Sequence, residues 1–384
     1  MDGGVSIDLR SLNSFKLSAD KKMASIGGGS IWSETVYPNL DRHNLTAPGG
    51  RITGVGVGGF LTGGGLNFLG RRDGFSCDSV RGYEVVLGTG EVVYASAKSN
   101  RDLWLALKGG SNNFGIVTRF DIATYPQPEM LGGFISFNFT DDALKQQAKA
   151  ISSYMDPRNF DPLALLEVNF AWFDGAWLLS DALFYLEPNI NPAPFKEVLA
   201  IPDRVETSLA IAPVTSVVTA AADLVPRTVN CALQLTYTFK NGDASVYYKL
   251  FSSLRDGINS FPAVDGLLFN YLVQPLPVTK GINSLGVEPD RKDLVIVDFA
   301  AAYNNVADDA IVIKGLQTIF DQHVKILKEA GLFHKFIYLN YAGDTQDPIG
   351  SYGTLKQLQK VSRKYDPHGL FQKAVPGPWK LFER

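Results

Sequence analysis

Glycine dominates the stretch from Pro48 to Gly65, where it fills half of the eighteen positions. Because each glycine in a packed helix or strand costs about 0.5–1 kcal/mol relative to alanine, a run this dense predicts neither element. Backbone N–H groups without neighbouring Cβ atoms can instead approach an extended anion such as a phosphate or pyrophosphate. The stretch therefore predicts a loop that holds a phosphate-containing ligand. A series of tight turns in a β-rich domain is the alternative.

Two familiar nucleotide motifs do not explain this run. Gly54, Gly56 and Gly59 have the G-x-G-x-x-G spacing of a dinucleotide-binding motif, which must end a strand and open a helix. Three consecutive glycines, residues 63–65, follow at once and would stop such a helix. There is no Gly-Lys-Ser or Gly-Lys-Thr, so the run is not a P-loop. We therefore expect a nucleotide-like ligand on a different fold.

Length and composition predict a two-domain globular protein. A chain of 384 residues exceeds one ordinary core, and 45% hydrophobic with 20% charged residues is typical of globular domains. The net charge of −3 gives no electrostatic reason to expect nucleic acid or an anionic membrane as a partner. No window of the sequence is long and apolar enough to span a bilayer.

Targeting and metal signals are absent from the sequence as it stands. Its amino terminus lacks the basic and apolar segments of a signal peptide, which predicts a cytoplasmic protein, or a secreted one if an upstream segment was lost. Cys77 and Cys231 cannot form a disulfide framework, and no Cys/His spacing predicts a metal site. Localisation and oligomeric state stay open.

The strands and helices predicted before residue 126 are short. Apolar patterning predicts strands at 4–9 and 22–27, a helix from Ser30 to about Leu40, and a hairpin over 81–96. A capped helix at 102–108 and a strand at 116–125 follow.

The chain changes character after residues 126–128, where long strands alternate with amphipathic helices. This pattern predicts one broad antiparallel sheet backed by helices. The strands are expected at 132–139, 164–173, 176–186, 231–239, 266–274 and 293–301, and the helices at 141–154, 243–260 and 307–330. The span 187–230 has no assignment. A last strand at 335–342 and a helix at 351–364 complete the prediction.

Three stretches resemble the FAD-linked oxidases of the vanillyl-alcohol-oxidase superfamily, in the berberine-bridge-enzyme-like branch. They are residues 48–80, residues 102–117 and the segment from Tyr338 to Gln372. The resemblance implies an α+β, two-domain PCMH-type FAD-binding fold with an inserted antiparallel-sheet substrate domain. The FAD-binding domain would comprise 1–128 and 331–384, and the substrate domain 129–330.

The resemblance also implies the cofactor contacts. The glycine run would lie along the FAD pyrophosphate and ribityl chain, the loop before the strand at 116–125 would touch the adenine half, and Asn340 would lie by the flavin ring. The cofactor-binding residues implied in this way are Gly49, Gly50, Val55, Gly56, Val57, Gly58, Gly59, Gly63, Gly64, Gly65, Gly115, Ile116, Val117 and Asn340.

Oxidation of an alcohol or amine needs a base for the substrate proton, and the family uses a tyrosine near the ring. Tyr338 and Tyr341 both qualify by motif. On an unbroken strand Tyr338 shares a face with Asn340, whereas Tyr341 follows Asn340 directly in the motif and would need a bulge to turn inward. The resemblance implies a small-molecule substrate and molecular oxygen as partners.

Two departures from the family pattern bear on FAD binding. The sequence begins just after the family's first lobe, whose loop holds the pyrophosphate and often supplies a histidine bound covalently to the flavin. The cysteine of bicovalent members is replaced by Ile52. We therefore expect noncovalent and weak FAD binding. The alternatives are a flavin-free homologue acting as a binding protein or non-redox cyclase, or an incomplete gene product.

Overall fold

The computed structural model describes residues 4–202, 204–220, 222 and 230–382. The ends of the predicted FAD-binding domain, residues 1–3 and 383–384, lie outside the described residues, as do 203, 221 and 223–229 within the span that had no assignment. The described chain mixes helices with antiparallel sheets, which confirms the predicted α+β fold class.

Sixteen strands are described. They are β1 (Phe15–Leu17), β2 (Met23–Gly27), β3 (Leu45–Thr46), β4 (Val80–Val86), β5 (Val92–Ser96), β6 (Ile116–Ala123), β7 (Tyr125–Pro126), β8 (Met130–Phe137), β9 (Ala164–Phe173), β10 (Ala176–Tyr185), β11 (Arg204–Thr207), β12 (Ala210–Ala212), β13 (Cys231–Lys240), β14 (Leu268–Pro275), β15 (Leu294–Tyr303) and β16 (Phe333–His334).

Twelve α-helices accompany these strands, together with several single turns of 3₁₀ or π type. They are α1 (Tyr37–Asp41), α2 (Val57–Thr62), α3 (Gly70–Asp73), α4 (Arg101–Ala106), α5 (Asp141–Tyr154), α6 (Lys196–Leu199), α7 (Val214–Ala220), α8 (Ala244–Asn259), α9 (Asp309–Glu329), α10 (Pro348–Ser351), α11 (Leu355–Tyr365) and α12 (Leu370–Lys373). In this described part, no helix is both long and apolar enough to cross a membrane.

A five-stranded antiparallel sheet in the order β1-β2-β6-β4-β5 forms the core of the first region. The predicted strand at 22–27 and the hairpin over 81–96 are confirmed. The predicted strand at 4–9 is wrong, because this segment pairs with no described strand. Its alternating apolar side chains are exposed, Val5 by 86% and Ile7 by 62%, so no buried face holds it in a sheet.

A nine-stranded antiparallel sheet forms the second region, in the order β11-β8-β10-β9-β14-β15-β13-β16 with β12 also on β8. The predicted strands and helices between 132 and 330 are confirmed with end shifts of at most two residues. The long helices α5, α8 and α9 pack on one face of this sheet, and the other face joins the core of the first region.

The glycine run contains a helix that its composition argued against. Helix α2 occupies 57–62 and ends before the three glycines at 63–65. Buried Val57 and Leu61 hold one side of it, and the Val57 N–H donates to the Ser30 carbonyl oxygen at 2.9 Å. Burial of Val57 and Leu61, which are four residues apart on one side of the helix, therefore outweighed the low helix propensity of Gly58 and Gly59.

The predicted strand at 335–342 is also wrong. The last strand, β16, ends at His334, and residues 339–341 form a 3₁₀ turn. Side-chain oxygens replace a strand partner here. Ser351 Oγ accepts from Ile337 N at 3.0 Å, and the Tyr352 hydroxyl accepts from Leu339 N at 3.2 Å. The segment contacts the glycine run, because the Tyr338 hydroxyl accepts from Gly65 N at 2.9 Å.

Candidate active site

A cavity of about 440 Å³ lies where the glycine run meets the segment around Asn340. Helix α2 and the loop before it form one wall, and the 3₁₀ turn at 339–341 forms another. Its lining residues are Gly50, Arg51, Ile52, Val55, Gly56, Gly59, Phe60, Leu66, Tyr338, Asn340 and Tyr341.

Three glycines of the run, Gly54, Gly56 and Gly59, leave open space beside the backbone. No described atom lies within 4 Å of a Cβ built on Gly56 or Gly59, and both residues line the cavity. A flat or extended ligand can therefore approach the main chain along this wall, and the first N–H groups of a helix have no intrahelical acceptor. These residues fit FAD.

The other glycines of the run are small for packing reasons. A Cβ on Gly49 would overlap the Trp32 ring, one on Gly50 would meet the Val55 side chain, and one on Gly63 would overlap the Asn340 side chain. Gly64 packs against Tyr338 and Leu285, and Gly65 against Ser76 and Phe60. Gly49, Gly63, Gly64 and Gly65 support the wall from behind, because their neighbours are protein atoms, whereas Gly50 is itself part of the lining.

Val57 and Gly58 point away from the cavity. Val57 is buried in the core, and a Cβ on Gly58 would lie 3.1 Å from the Gly28 carbonyl oxygen. Gly115, Ile116 and Val117 lie at the start of β6, outside the cavity lining. Their contact with the adenine half of the cofactor stays a prediction.

Asn340 joins the two walls of the cavity. Its Nδ2 donates to the Phe60 carbonyl oxygen at 3.2 Å and to the Tyr338 hydroxyl at 3.0 Å. Both bonds hold the turn at 339–341 against α2. The alternation argument that put Tyr338 and Asn340 on one face of a strand does not apply in this turn, yet the two side chains still meet.

Tyr341 lies in the most polar part of the site. Its hydroxyl accepts from Arg51 Nη2 at 3.1 Å and from Gln274 Nε2 at 3.1 Å. Arg51 also donates to Gln274 Oε1 at 2.6 Å and pairs with Glu167. Burial raises the pKa of Tyr341, while the Arg51 guanidinium opposes that shift by favouring the phenolate.

Tyr338 has a different setting, although it also lines the cavity. Its hydroxyl accepts from two neutral donors, Gly65 N and Asn340 Nδ2. Burial raises the pKa of Tyr338, and the nearby Tyr341 adds to the shift. Tyr338 therefore fixes the backbone around the cavity, whereas Tyr341 has a cation as its hydrogen-bond donor.

Sequence reasoning missed the residues of the large sheet that complete the site. Glu167 on β9 and Gln274 on β14 reach Arg51, and Asp298 on β15 accepts from Gln234 Nε2 at 2.7 Å. Burial raises the pKa of Asp298 to about 7. The available signal was a charged or amide residue inside an otherwise apolar strand, as in the sequence around Asp298.

The remaining candidates do not form a second chemical centre in the described chain. Cys77 is buried and Cys231 lies at the start of β13. Among the described residues, no group of three or more His, Cys, Asp or Glu side chains is placed to hold a metal ion. His323 is buried in the helix-covered side of the large sheet, away from the cavity.

Comparison with known proteins places this geometry among flavoproteins. Residues 1–96 match the family model described as an FAD binding domain. The chain is 34% identical over 405 residues to the FAD-dependent monooxygenase FUP4 of Fusarium proliferatum, which covers 99% of this chain and 76% of that protein. It is 33% identical to the FAD-dependent monooxygenase tpcD of Cochliobolus heterostrophus, covering 99% of this chain and 77% of tpcD.

A solved structure with a similar fold is 6-hydroxy-D-nicotine oxidase from Arthrobacter nicotinovorans. The TM-score is 0.77 at 22% identity, over 97% of this chain and 82% of that one. The chain spans about three quarters of the length of the curated relatives above.

Proposed function

This chain belongs to the family of FAD-linked oxidases with a PCMH-type FAD-binding domain, and from that premise we propose its reaction. The protein is an FAD-dependent oxidoreductase. We propose that it oxidises a small hydroxylated or cyclisable metabolite, with molecular oxygen as the electron acceptor.

The observation that carries this proposal is the environment of the Tyr341 hydroxyl on the cavity wall. Two donors bind its oxygen, and one of them, Arg51, is a cation. Such donors stabilise a phenolate, which can accept the proton of a substrate hydroxyl. Because burial raises the pKa of Tyr341, turnover should rise with pH until the phenol ionises.

The residues around this oxygen position a substrate as well. Gly56 and Gly59 would hold the flavin part of FAD against an open backbone, and Asn340 would border its ring. Bound FAD would supply the hydride acceptor for the substrate carbon. Tyr341 takes the hydroxyl proton, and Gln274 and Arg51 keep its oxygen in place.

We propose a noncovalent cofactor on this chain. None of the described residues that line the cavity is a cysteine or histidine, and the lining includes Ile52, the residue that the family resemblance implies in place of the cysteine of bicovalent members. Acid precipitation should therefore release all flavin into the supernatant, and a flavin-fluorescent protein band on a denaturing gel would contradict this linkage.

The function is tested by anaerobic reduction. Purified protein reconstituted with FAD should bind flavin, lose flavin absorbance at about 450 nm with a hydroxylated substrate, and regain it when oxygen is admitted. Protein that takes up no flavin would favour the alternative of a binding protein or non-redox cyclase. Flavin that is reduced but not reoxidised by oxygen would overturn oxygen as the acceptor.

A further inference from the structure

The site-facing side of the large sheet carries polar groups beyond those that contact Tyr341. Two rows of residues cross its strands at right angles to the chain direction. In the first row Asn169 on β9 pairs with Leu272 on β14, which pairs with Asp298 on β15. Residues directly opposite each other share a face, so these three side chains point to the same side.

The second row has small apolar side chains at its two ends and the partly buried Asn270 between them. Ala171 on β9 pairs with Asn270 on β14, which pairs with Ala300 on β15. The alanines and Leu272 are only partly buried, so they present a shallow apolar surface beside the polar groups. The same face opens to solvent farther from the cavity, where Phe173 is 55% exposed.

Asn169 has an unused hydrogen-bonding group in this surface. Its Oδ1 is buried without a partner, and no bond to its Nδ2 is found among the described residues. Asp298, only 8% exposed, accepts from Gln234 through one oxygen, and no described side chain donates to the other. Burying an unpaired amide is unfavourable, which indicates that a ligand completes these bonds.

We propose that this surface binds a planar, fused-ring substrate with oxygen substituents at opposite ends, and that Asn169 is a specificity-determining residue for the distal one. Asn169 and Asp298 lie two strands apart, roughly 9–10 Å between their backbones, which is a span for two or more fused rings. The ring face would rest on Leu272 of the first row and on Ala171, Asn270 and Ala300 of the second. This inference rests on the proposed function, because the proximal hydroxyl would face Tyr341.

The same surface disfavours an oligosaccharide. A pyranose carries hydroxyls around its whole edge, and several of them would lose their hydrogen bonds against Leu272 and the two alanines. Asn169, Asn270 and Asp298 are the polar side chains of these two rows, and the other three positions, Leu272, Ala171 and Ala300, offer no hydrogen-bonding group.

Calorimetric titration of the full chain tests the assignment without relying on turnover. 2,6-Dihydroxynaphthalene should bind more tightly than 2-naphthol, and cellobiose should bind more weakly than either. Asn169→Leu should weaken binding of the diol about tenfold, the value of one hydrogen bond, and leave 2-naphthol unchanged. Ala300→Leu should weaken both, whereas Ala232→Leu, at an exposed alanine on neighbouring β13, should change neither. Thermal melts monitor folding of each variant.

Equal diol affinity in wild type and Asn169→Leu, or tighter binding of cellobiose, would overturn the inference. The proposed function fails separately. Diol binding that depends on Asn169 in protein that takes up no flavin would support the surface and refute the oxidase. A disaccharide that reduces the flavin while the diol fails to bind would refute the surface and retain the oxidase.

Discussion

The two faces of the nine-stranded sheet bury titratable side chains in different surroundings. On the helix-covered face the Tyr237 hydroxyl lies 2.8 Å from the Tyr271 hydroxyl and 2.9 Å from His323 Nδ1. Asp181 accepts from Gln147 on α5 at 2.8 Å. These groups lie in closed packing without a cation in contact among the described residues. On the opposite face Arg51, Gln274 and Tyr341 meet at a cavity.

Burial is the largest cause of the shifted pKa values on both faces. It raises the pKa of Asp181 to about 8 on the helix side and the pKa of Asp298 to about 7 on the site side. It lowers the pKa of His323 to about 3. A perturbed pKa therefore marks desolvation, and it marks a candidate site only where a cavity and a charged partner accompany it.

The largest effect expected from the difference between the two faces of the sheet is at Tyr341. We expect Tyr341→Phe to lower turnover by about 10²–10⁴-fold, the usual contribution of a positioned base, while flavin content is unchanged. Tyr338→Phe is the matched control. It removes the acceptor for Gly65 N, so it should lower the melting temperature and change turnover much less. Full activity of both variants in steady-state assays would refute a tyrosine base.

The open backbone at Gly59 gives the next largest effect. Gly59→Val puts a branched side chain into the cavity and should weaken FAD binding by about 100-fold or more in a fluorescence titration. The fold should survive, because valine is no worse than glycine inside a helix. Gly63→Val is the contrast, since its side chain would overlap Asn340 and should destabilise the protein. Unchanged FAD affinity in Gly59→Val would show that the cofactor lies elsewhere.

Gly58 is a poorer probe than the sequence indicated. Both Gly58 and Gly59 were expected to leave room for the ligand, but a side chain on Gly58 would press on the Gly28 carbonyl oxygen. A folded but FAD-deficient variant is therefore expected at Gly59 only. The sequence alone predicts that this wall is rich in glycine. Which glycines face the ligand depends on helix α2, which the sequence argument had excluded.

Much of the architecture could be predicted because its signals are local. The strand at 164–173 and the helix at 141–154 have the predicted bounds, since alternating and amphipathic patterns are read within one element. The segment 335–342 has the residue pattern of a strand, but its backbone N–H groups donate to the side chains of Ser351 and Tyr352. These residues lie outside the segment, so its own pattern could not reveal them.

Only the part of the candidate site that lies within one local motif could be predicted. Asn340 and Tyr341 stand in a motif, so the resemblance located them. Glu167, Gln274 and Asp298 lie on three strands, each more than a hundred residues from Arg51 in the chain, and only sheet register brings them near it. One sequence carries no register information for residues so far apart.

Arg51 provides a smaller, pH-dependent test. Replacing it with methionine removes the cation that favours the Tyr341 phenolate, so the pKa of Tyr341 should rise. The ascending limb of the kcat profile should move to higher pH by roughly 1–2 units, which lowers turnover about 10–100-fold at a fixed pH below it. Raising the pH should restore the rate. A loss that no pH restores would indicate that Arg51 positions the substrate instead.

Glu167→Gln is the matched control for that variant. It keeps the shape of the Arg51 partner and removes the opposing charge, so the ascending limb should move to lower pH or stay in place. A shift of both variants toward higher pH would contradict the assigned role of the Arg51 charge.

The smallest effect on activity, and the sharpest contrast between the faces, is expected from Asp181→Asn. A carboxyl whose pKa is raised on folding stabilises the native state below its unfolded pKa, near 3.8, and this contribution is lost as pH rises through the folded value. The free energy of unfolding should therefore fall between about pH 4 and pH 8 in the wild type. Asp181→Asn should flatten that slope and raise stability near pH 8 by about 2–4 kcal/mol, with turnover unchanged.

Asp298→Asn should flatten the slope up to about pH 7 and also alter turnover, because Asp298 faces the site. Urea unfolding across the pH range measures both. If Asp181→Asn changes turnover as much as Asp298→Asn does, the division between a structural face and a chemical face of this sheet is wrong.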